Sequence, residues 1–149
     1  MRRSCLAILF LAVAILAITL VADAKPIRTE KNAPPESLDG VWITTSVEVP
    51  GQAKKEGPQI KMTFSANKLT MEVQNETKTA KVAVDFKKKP AEIDIMPTDA
   101  PFQGQKVPGI FERKGDTLRI CAGNQPGGQR PTEFKSGDGN ALITLKLQK

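Results

Sequence analysis

From residue 41 onward, hydrophobic and polar residues alternate in short runs separated by glycine, proline, asparagine and aspartate. At residues 60–64, for example, Ile60, Met62 and Phe64 alternate with Lys61 and Thr63. A period of two is typical of a β-strand with one buried and one solvated face. These runs predict about eight short strands, near residues 41–49, 60–64, 69–73, 80–86, 92–95, 109–113, 117–122 and 141–147.

No long segment shows the period of a helix, so the pattern favours an antiparallel sandwich or a closed barrel. Because closure removes the exposed edges of a sheet, we expect a barrel. Two longer connections, at residues 96–108 and 123–139, are rich in proline and glycine. Long loops on a rigid β scaffold often carry function, and the alternative is that they simply cross the mouth of the barrel.

Residues 1–24 have the pattern of a signal peptide, which predicts an exported protein, periplasmic or secreted. Arg2 and Arg3 precede an apolar run at residues 6–22, and residues 22–24 have the small-x-small pattern of a cleavage site. An uncleaved membrane anchor would use the same apolar run, and is the alternative. Residues 25–36 are polar and contain three prolines, so they predict a flexible tether before a domain at residues 37–149.

Composition narrows the chemistry of this domain. The 149 residues carry a net charge of +6 and include no histidine. Scattered basic residues without an aromatic pattern favour only weak attraction to anionic surfaces and argue against nucleic acid as a partner. Without histidine, the usual general base and the commonest metal ligand are missing. We therefore expect no enzyme, no cofactor and no metal site.

Three smaller features each allow a reactive and an inert interpretation. Cys121 alone would survive cleavage, and its strand-like neighbours favour a small buried residue over a reactive thiol. Glu92 and Asp94 face one side of a strand, and a solvent-facing pair is favoured over a carboxylate site. Residues 130–134 form either a polar site at the barrel mouth or, as we favour, a closing turn.

Gly40 and Trp42 mark the start of the first strand. A glycine allows the chain to turn into the strand, and a tryptophan two residues later can fill one end of a barrel. An arginine over the ring would add a cation–π contact, and Arg130 is the first candidate and Arg119 the second. This Gly-x-Trp pattern resembles the start of the lipocalins.

Five motifs in order give a more specific resemblance. They are LDGVW at 38–42, FKKKPAEIDI at 86–95, GIFE at 109–112, GDTLRIC at 115–121 and RPTEF at 130–134. Together they resemble an uncharacterised family of exported lipocalin-like domains that is abundant in planctomycete bacteria. The resemblance covers about residues 38–147 and implies an eight-stranded lipocalin-like barrel in a bacterial envelope setting. The sequence departs from the family at Thr44 and Thr45, where the family is usually more apolar. The resemblance implies no activity.

The leading functional hypothesis is that the barrel binds a small apolar or amphipathic ligand, since eight strands can enclose one. The alternative is a structural or protein-interaction module of the cell envelope with a filled barrel. A membrane contact is expected only through an uncleaved signal, and the oligomeric state stays open. The inward residues that would line the ligand site are Met62, Phe64, Met71, Phe86, Ile95, Leu118 and Ile120.

Overall fold

The computed structural model describes residues 37–52 and 59–149, and these form eight β-strands. The expected signal peptide and tether lie outside the described residues. No helix in the described ranges is long and apolar enough to cross a membrane. The strands are β1 (Gly40–Glu48), β2 (Lys61–Ser65), β3 (Lys68–Val73), β4 (Glu76–Asp85), β5 (Ala91–Pro97), β6 (Val107–Lys114), β7 (Thr117–Gly123) and β8 (Asn140–Leu147).

Each strand pairs antiparallel with the next, and β8 pairs with β1, so the sheet closes on itself. Trp42 on β1, for example, lies opposite Met62 on β2 and Leu147 on β8. Closure gives every strand two neighbours and leaves no open edge. The all-β class and the closed eight-stranded barrel predicted from the alternation are confirmed, and the architecture is consistent with a lipocalin-like barrel.

The two ends of the barrel differ in the length of their connections. At the end where β1 begins, the short turns at residues 66–67, 86–90 and 115–116 join neighbouring strands. We call this the Trp42 end. At the opposite end, which we call the long-loop end, residues 98–106 join β5 to β6 and residues 124–139 join β7 to β8. Both long connections expected from the sequence therefore belong to the same end.

The interior of the barrel is filled by hydrophobic side chains that form one continuous cluster. Phe86 and Phe111 meet edge to face, with 5.1 Å between the ring centroids. Interlocking of large side chains from all strands leaves a core of the kind that small barrels have. Less than 2% of the side chain is exposed in Trp42, Leu69, Ile93, Phe111, Leu118 and Leu145.

Thr44 is a polar residue within this apolar interior, and it is 4% exposed. Its hydroxyl donates a hydrogen bond of 3.1 Å to the carbonyl of Ile60, so the buried group is satisfied. The pairing of β1 with β8 shifts between Thr44 and Ser46, and Thr45 in this bulge is exposed. Thr44 is thus buried in the barrel, and Thr45, within the bulge, is exposed.

The alternation in the run at residues 80–86 predicts that Val84 faces inward, but Val84 is not buried. Val84 on β4 is 40% exposed, although it follows the alternation of buried Ala80 and Val82. The pairing of β3 with β4 ends at Lys68 and Lys81, so the last part of β4 lacks a neighbour on that side. Alternation in the sequence predicts the face of a strand, but burial also needs a second strand to cover it.

Candidate functional site

The Trp42 end is closed by the indole ring of Trp42. The side chain is fully buried, and its Nε1 donates a hydrogen bond of 2.9 Å to the carbonyl of Leu38. Gly40 between them has a φ of 133°, which side chains rarely allow. The chain therefore folds back over the ring as it enters β1, and the buried N–H obtains its partner from four residues earlier.

The arginine over the Trp42 ring is Arg113, whose guanidinium carbon lies 5.1 Å from the ring centroid. The same guanidinium donates to the carbonyl of Ser37, so it ties the entering chain to the end of β6. The expectation that Arg130 or Arg119 occupies this position is wrong. Arg113 follows the alternation of inward-facing Phe111 on β6, and its length takes the charge out past the ring to solvent.

Arg130 instead lies against the outer wall, where it fixes the β7–β8 loop (residues 124–139) to β5 and β6. Ile93 and Gly109 are paired across these strands, and both carbonyls accept hydrogen bonds from Arg130, at 3.1 and 2.6 Å. The guanidinium also pairs with Asp94 at 2.6 Å and approaches Glu92 at 3.5 Å. We call this arrangement the Arg130 clamp. Within residues 130–134, Arg130 thus fastens the loop to the barrel wall.

Asp94 is the carboxylate on which the positive charges of the clamp converge. Burial alone would raise the pKa of Asp94, but hydrogen bonds and charge from Lys106 and Arg130 outweigh it and lower the pKa below its ordinary value. Lys106 reaches Asp94 at 3.0 Å from the β5–β6 connection. Glu92 and Asp94 do share one outer face, but both are engaged by Arg130 rather than free in solvent.

A second hydrophobic cluster lies outside the barrel wall, beneath the β7–β8 loop. Ile110, Cys121 and Leu142 are buried there, and Phe134 of the loop packs against them. The Cys121 thiol donates to the carbonyl of Lys135 at 3.4 Å. Burial raises the pKa of this thiol, which keeps it protonated. Cys121 is therefore a buried strand residue, as expected, but it faces the loop and not the barrel interior.

Arg119 covers the outer side of this cluster. Its guanidinium carbon lies 5.1 Å from the centroid of the Phe134 ring, and one of its nitrogens lies 3.3 Å from Glu112. Hydrogen bonds from Lys114, together with the charges of Lys114 and Arg119, lower the pKa of Glu112 against the effect of burial. The aromatic partner of Arg119 is thus Phe134 of the β7–β8 loop.

The seven residues proposed to line a ligand site all belong to the interior cluster. Their burial differs along the barrel axis. Met62, Phe64, Leu118 and Ile120 are buried, whereas Met71, Ile95 and Phe86 are only half-buried. Met71 and Ile95 lie towards the long-loop end and Phe86 towards the Trp42 end. The middle of the barrel is closed to solvent, and whether any of these residues binds a ligand stays a prediction.

The β7–β8 loop surrounds a depression of about 610 Å³ on the outside of the barrel. In the described part of the chain, none of its polar side chains except Arg130 has a hydrogen-bond partner. Among the described residues there is also no cluster of three metal-ligating side chains. The unpartnered side chains around this depression are those of Asn124, Gln125, Gln129, Thr132, Asp138 and Asn140.

Sequence reasoning did not find Arg113 or the Arg130 clamp. A signal for Arg113 was present, because it stands two residues after Phe111 and so shares its inward parity. No comparable signal existed for the clamp, since Arg130 and Asp94 are far apart in the chain and their approach depends on the path of the loop. Comparisons with protein-family models, curated proteins and solved structures found no match to this chain.

Proposed function

We propose that this domain is a protein-interaction module in which the filled barrel serves as a rigid scaffold for the β7–β8 loop. The observation that carries the proposal is the packed interior. Trp42 closes one end of the barrel, and buried Phe111 and Leu118 fill interior space that a ligand-binding barrel would leave for its ligand. A filled barrel leaves its outer surface and its loops as the parts that contact other molecules.

The β7–β8 loop is suited to this role because it is held in place and yet leaves polar groups free. The Arg130 clamp holds one part of it to β5 and β6, and Phe134 anchors another part over the outer cluster. Between the end of β7 and Arg130, amide side chains such as Gln125 and Gln129 face solvent without a partner in the described structure. A preorganised polar surface loses less conformational entropy on binding than a flexible one.

Photo-crosslinking in cells of the native host tests this proposal. The full chain would carry benzoylphenylalanine at Gln125 or at Gln129, with Thr77, which is exposed at the start of β4 and outside the β7–β8 loop, as the control. We expect one adduct of defined mass from both loop positions and none from Thr77. Adducts of the same mass from Thr77, or no adduct from either loop position, would contradict the proposal.

A second candidate function is binding of a small apolar ligand at the long-loop end. The observation in its favour is that Met71, Ile95 and Ile143 are interior residues that remain partly exposed. Titration with the neutral probe N-phenyl-1-naphthylamine distinguishes the two candidates. Saturable one-to-one binding that a Met71→Gln variant abolishes would favour the ligand function over the interaction module.

We also propose that the protein is exported to the periplasm or beyond the cell, in line with its resemblance to exported lipocalin-like domains. The pattern at residues 1–24 supports this. The mature protein from its host should then begin at Lys25. N-terminal sequencing that found Met1 retained would favour the membrane anchor at residues 6–22.

A further inference from the structure

A depression of about 670 Å³ lies on the outer wall where the β2–β3 turn meets β4 and β5. It does not involve the β7–β8 loop. Two lysines, Lys68 on β3 and Lys81 on β4, line it and lie directly opposite each other in the sheet. Like charges in opposite positions of neighbouring strands repel each other and lower the stability of the sheet. A pair of this kind therefore needs a physical reason.

No carboxylate lines this depression, and neither lysine forms an ion pair within the described structure. Carboxylates on the flanking strands have other partners. Glu72 on β3 pairs with Lys61 at 3.1 Å, and Asp94 on β5 pairs with Arg130 and Lys106. Asp99, just beyond the rim, accepts the backbone N–H of Thr79 at 2.8 Å. The two positive charges are thus left without a counter-ion from the protein.

The rest of the lining combines hydroxyl and apolar groups. Thr79 and Thr98 contribute hydroxyls, while Met96 and Ala83 contribute apolar surface. Met96 lies opposite Lys81 on the other side, so one row across the sheet reads Lys68, Lys81, Met96. Two cations beside a methionine on one wall match a molecule with an anionic head group and an apolar chain.

We propose that this depression binds a small anionic amphiphile, with its phosphate or carboxylate between Lys68 and Lys81 and its chain over Met96. The bound anion offsets the repulsion between the two lysines, which explains their opposite positions. The proposal is independent of the β7–β8 loop, so it can fail while the interaction module stands, and the reverse also holds.

Calorimetric titration with dodecyl phosphate, below its micelle concentration, tests the site. Lys81→Gln and Lys68→Gln should each weaken binding about tenfold, as expected for loss of one charge-assisted hydrogen bond. Lys135→Gln removes the same charge from an exposed position in the β7–β8 loop and should leave the affinity unchanged. Equal affinity in Lys81→Gln and Lys135→Gln would overturn the proposal.

Three further binding experiments identify the class of ligand. Met96→Ser should weaken the binding of dodecyl phosphate but not that of inorganic phosphate. If the native protein binds the two probes with equal affinity, the apolar chain has no role in binding. Dodecyl maltoside, with a neutral head, should not bind in the same range, and comparable binding would contradict the anion site. In the third test, the protein is sedimented with phosphatidylglycerol vesicles. If the native protein co-sediments and Lys81→Gln does not, the ligand is a membrane surface, and the proposal of a small soluble amphiphile is refuted.

Melting temperatures measured without any amphiphile test whether Lys68 and Lys81 repel each other. Lys68→Glu places opposite charges across the strand pair, so its melting temperature in chloride should exceed that of the native protein. Inorganic phosphate at matched ionic strength should raise the melting temperature of the native protein but not that of Lys68→Glu. A lower melting temperature for Lys68→Glu in chloride would show that the lysines do not repel each other.

Discussion

Replacement of Arg130 by glutamine removes the clamp between the β7–β8 loop and the barrel wall. The guanidinium gives up three hydrogen bonds, to Asp94, Ile93 and Gly109. Glutamine keeps much of the length but loses the charge and the forked geometry that reaches all three acceptors. Asp94 then retains only Lys106 as a cationic partner.

The expected cost follows from the exposure of the groups involved. The side chains of Arg130 and Asp94 are 25% and 22% exposed, so the pair lies between a surface and a buried ion pair. Surface pairs contribute up to about 1 kcal/mol, and hydrogen bonds to charged groups about 1.5 to 3 kcal/mol. We expect Arg130→Gln to lower the free energy of unfolding by about 2 to 4 kcal/mol.

The pH dependence gives a second, independent signature. The pKa of Asp94 is lowered in the folded protein, so its contribution to stability is present above the unfolded pKa of about 3.9 and is lost as the pH falls through the folded value. The stability difference between the native protein and Arg130→Gln should therefore be largest near neutral pH. It should shrink as the pH falls below about 4.

Urea unfolding followed by the emission of Trp42, together with amide hydrogen exchange, measures both effects. Lys106→Gln is the matched control, because it removes a cation from the same carboxylate at a side chain that is 57% exposed. We expect Lys106→Gln to lower the free energy of unfolding by no more than about 1 kcal/mol. Equal unfolding midpoints for Arg130→Gln and the native protein, with unchanged exchange at residues 124–139, would refute the clamp.

Three further substitutions test the packing. Trp42→Ala should cost about 3 to 5 kcal/mol, the range for a large buried aromatic, and an unchanged melting point would remove its role in closing the barrel. Cys121→Ser should cost about 1 to 3 kcal/mol, since the hydroxyl is buried, and the native thiol should react slowly with thiol reagents near pH 8. Gly109→Ala should destabilise the barrel by more than 1 kcal/mol, because the new Cβ would lie 2.8 Å from the Cys121 carbonyl; calorimetry showing equal stability would contradict this close approach.

The fold was predictable because strand alternation is a local property. Met62 and Phe64 alternate with Lys61 and Thr63, and this pattern alone places the first two in the interior and the others outside. The closed barrel followed from eight such strands and the need to cover their edges. Cys121 shows the limit, because it is buried as expected but beneath a loop, on the face that alternation assigns to solvent.

The sequence by itself determined which segments are strands, which residues of each strand face inward, and that a tryptophan with a preceding glycine begins the barrel. Tertiary structure decided which arginine covers Trp42, where Arg130 goes and which lysines face each other without a counter-ion. The physical reason is that strand faces depend on neighbours two residues apart. The partners of Arg130, Arg113 and Lys81 depend instead on register and on the path of a long loop, which no local pattern encodes.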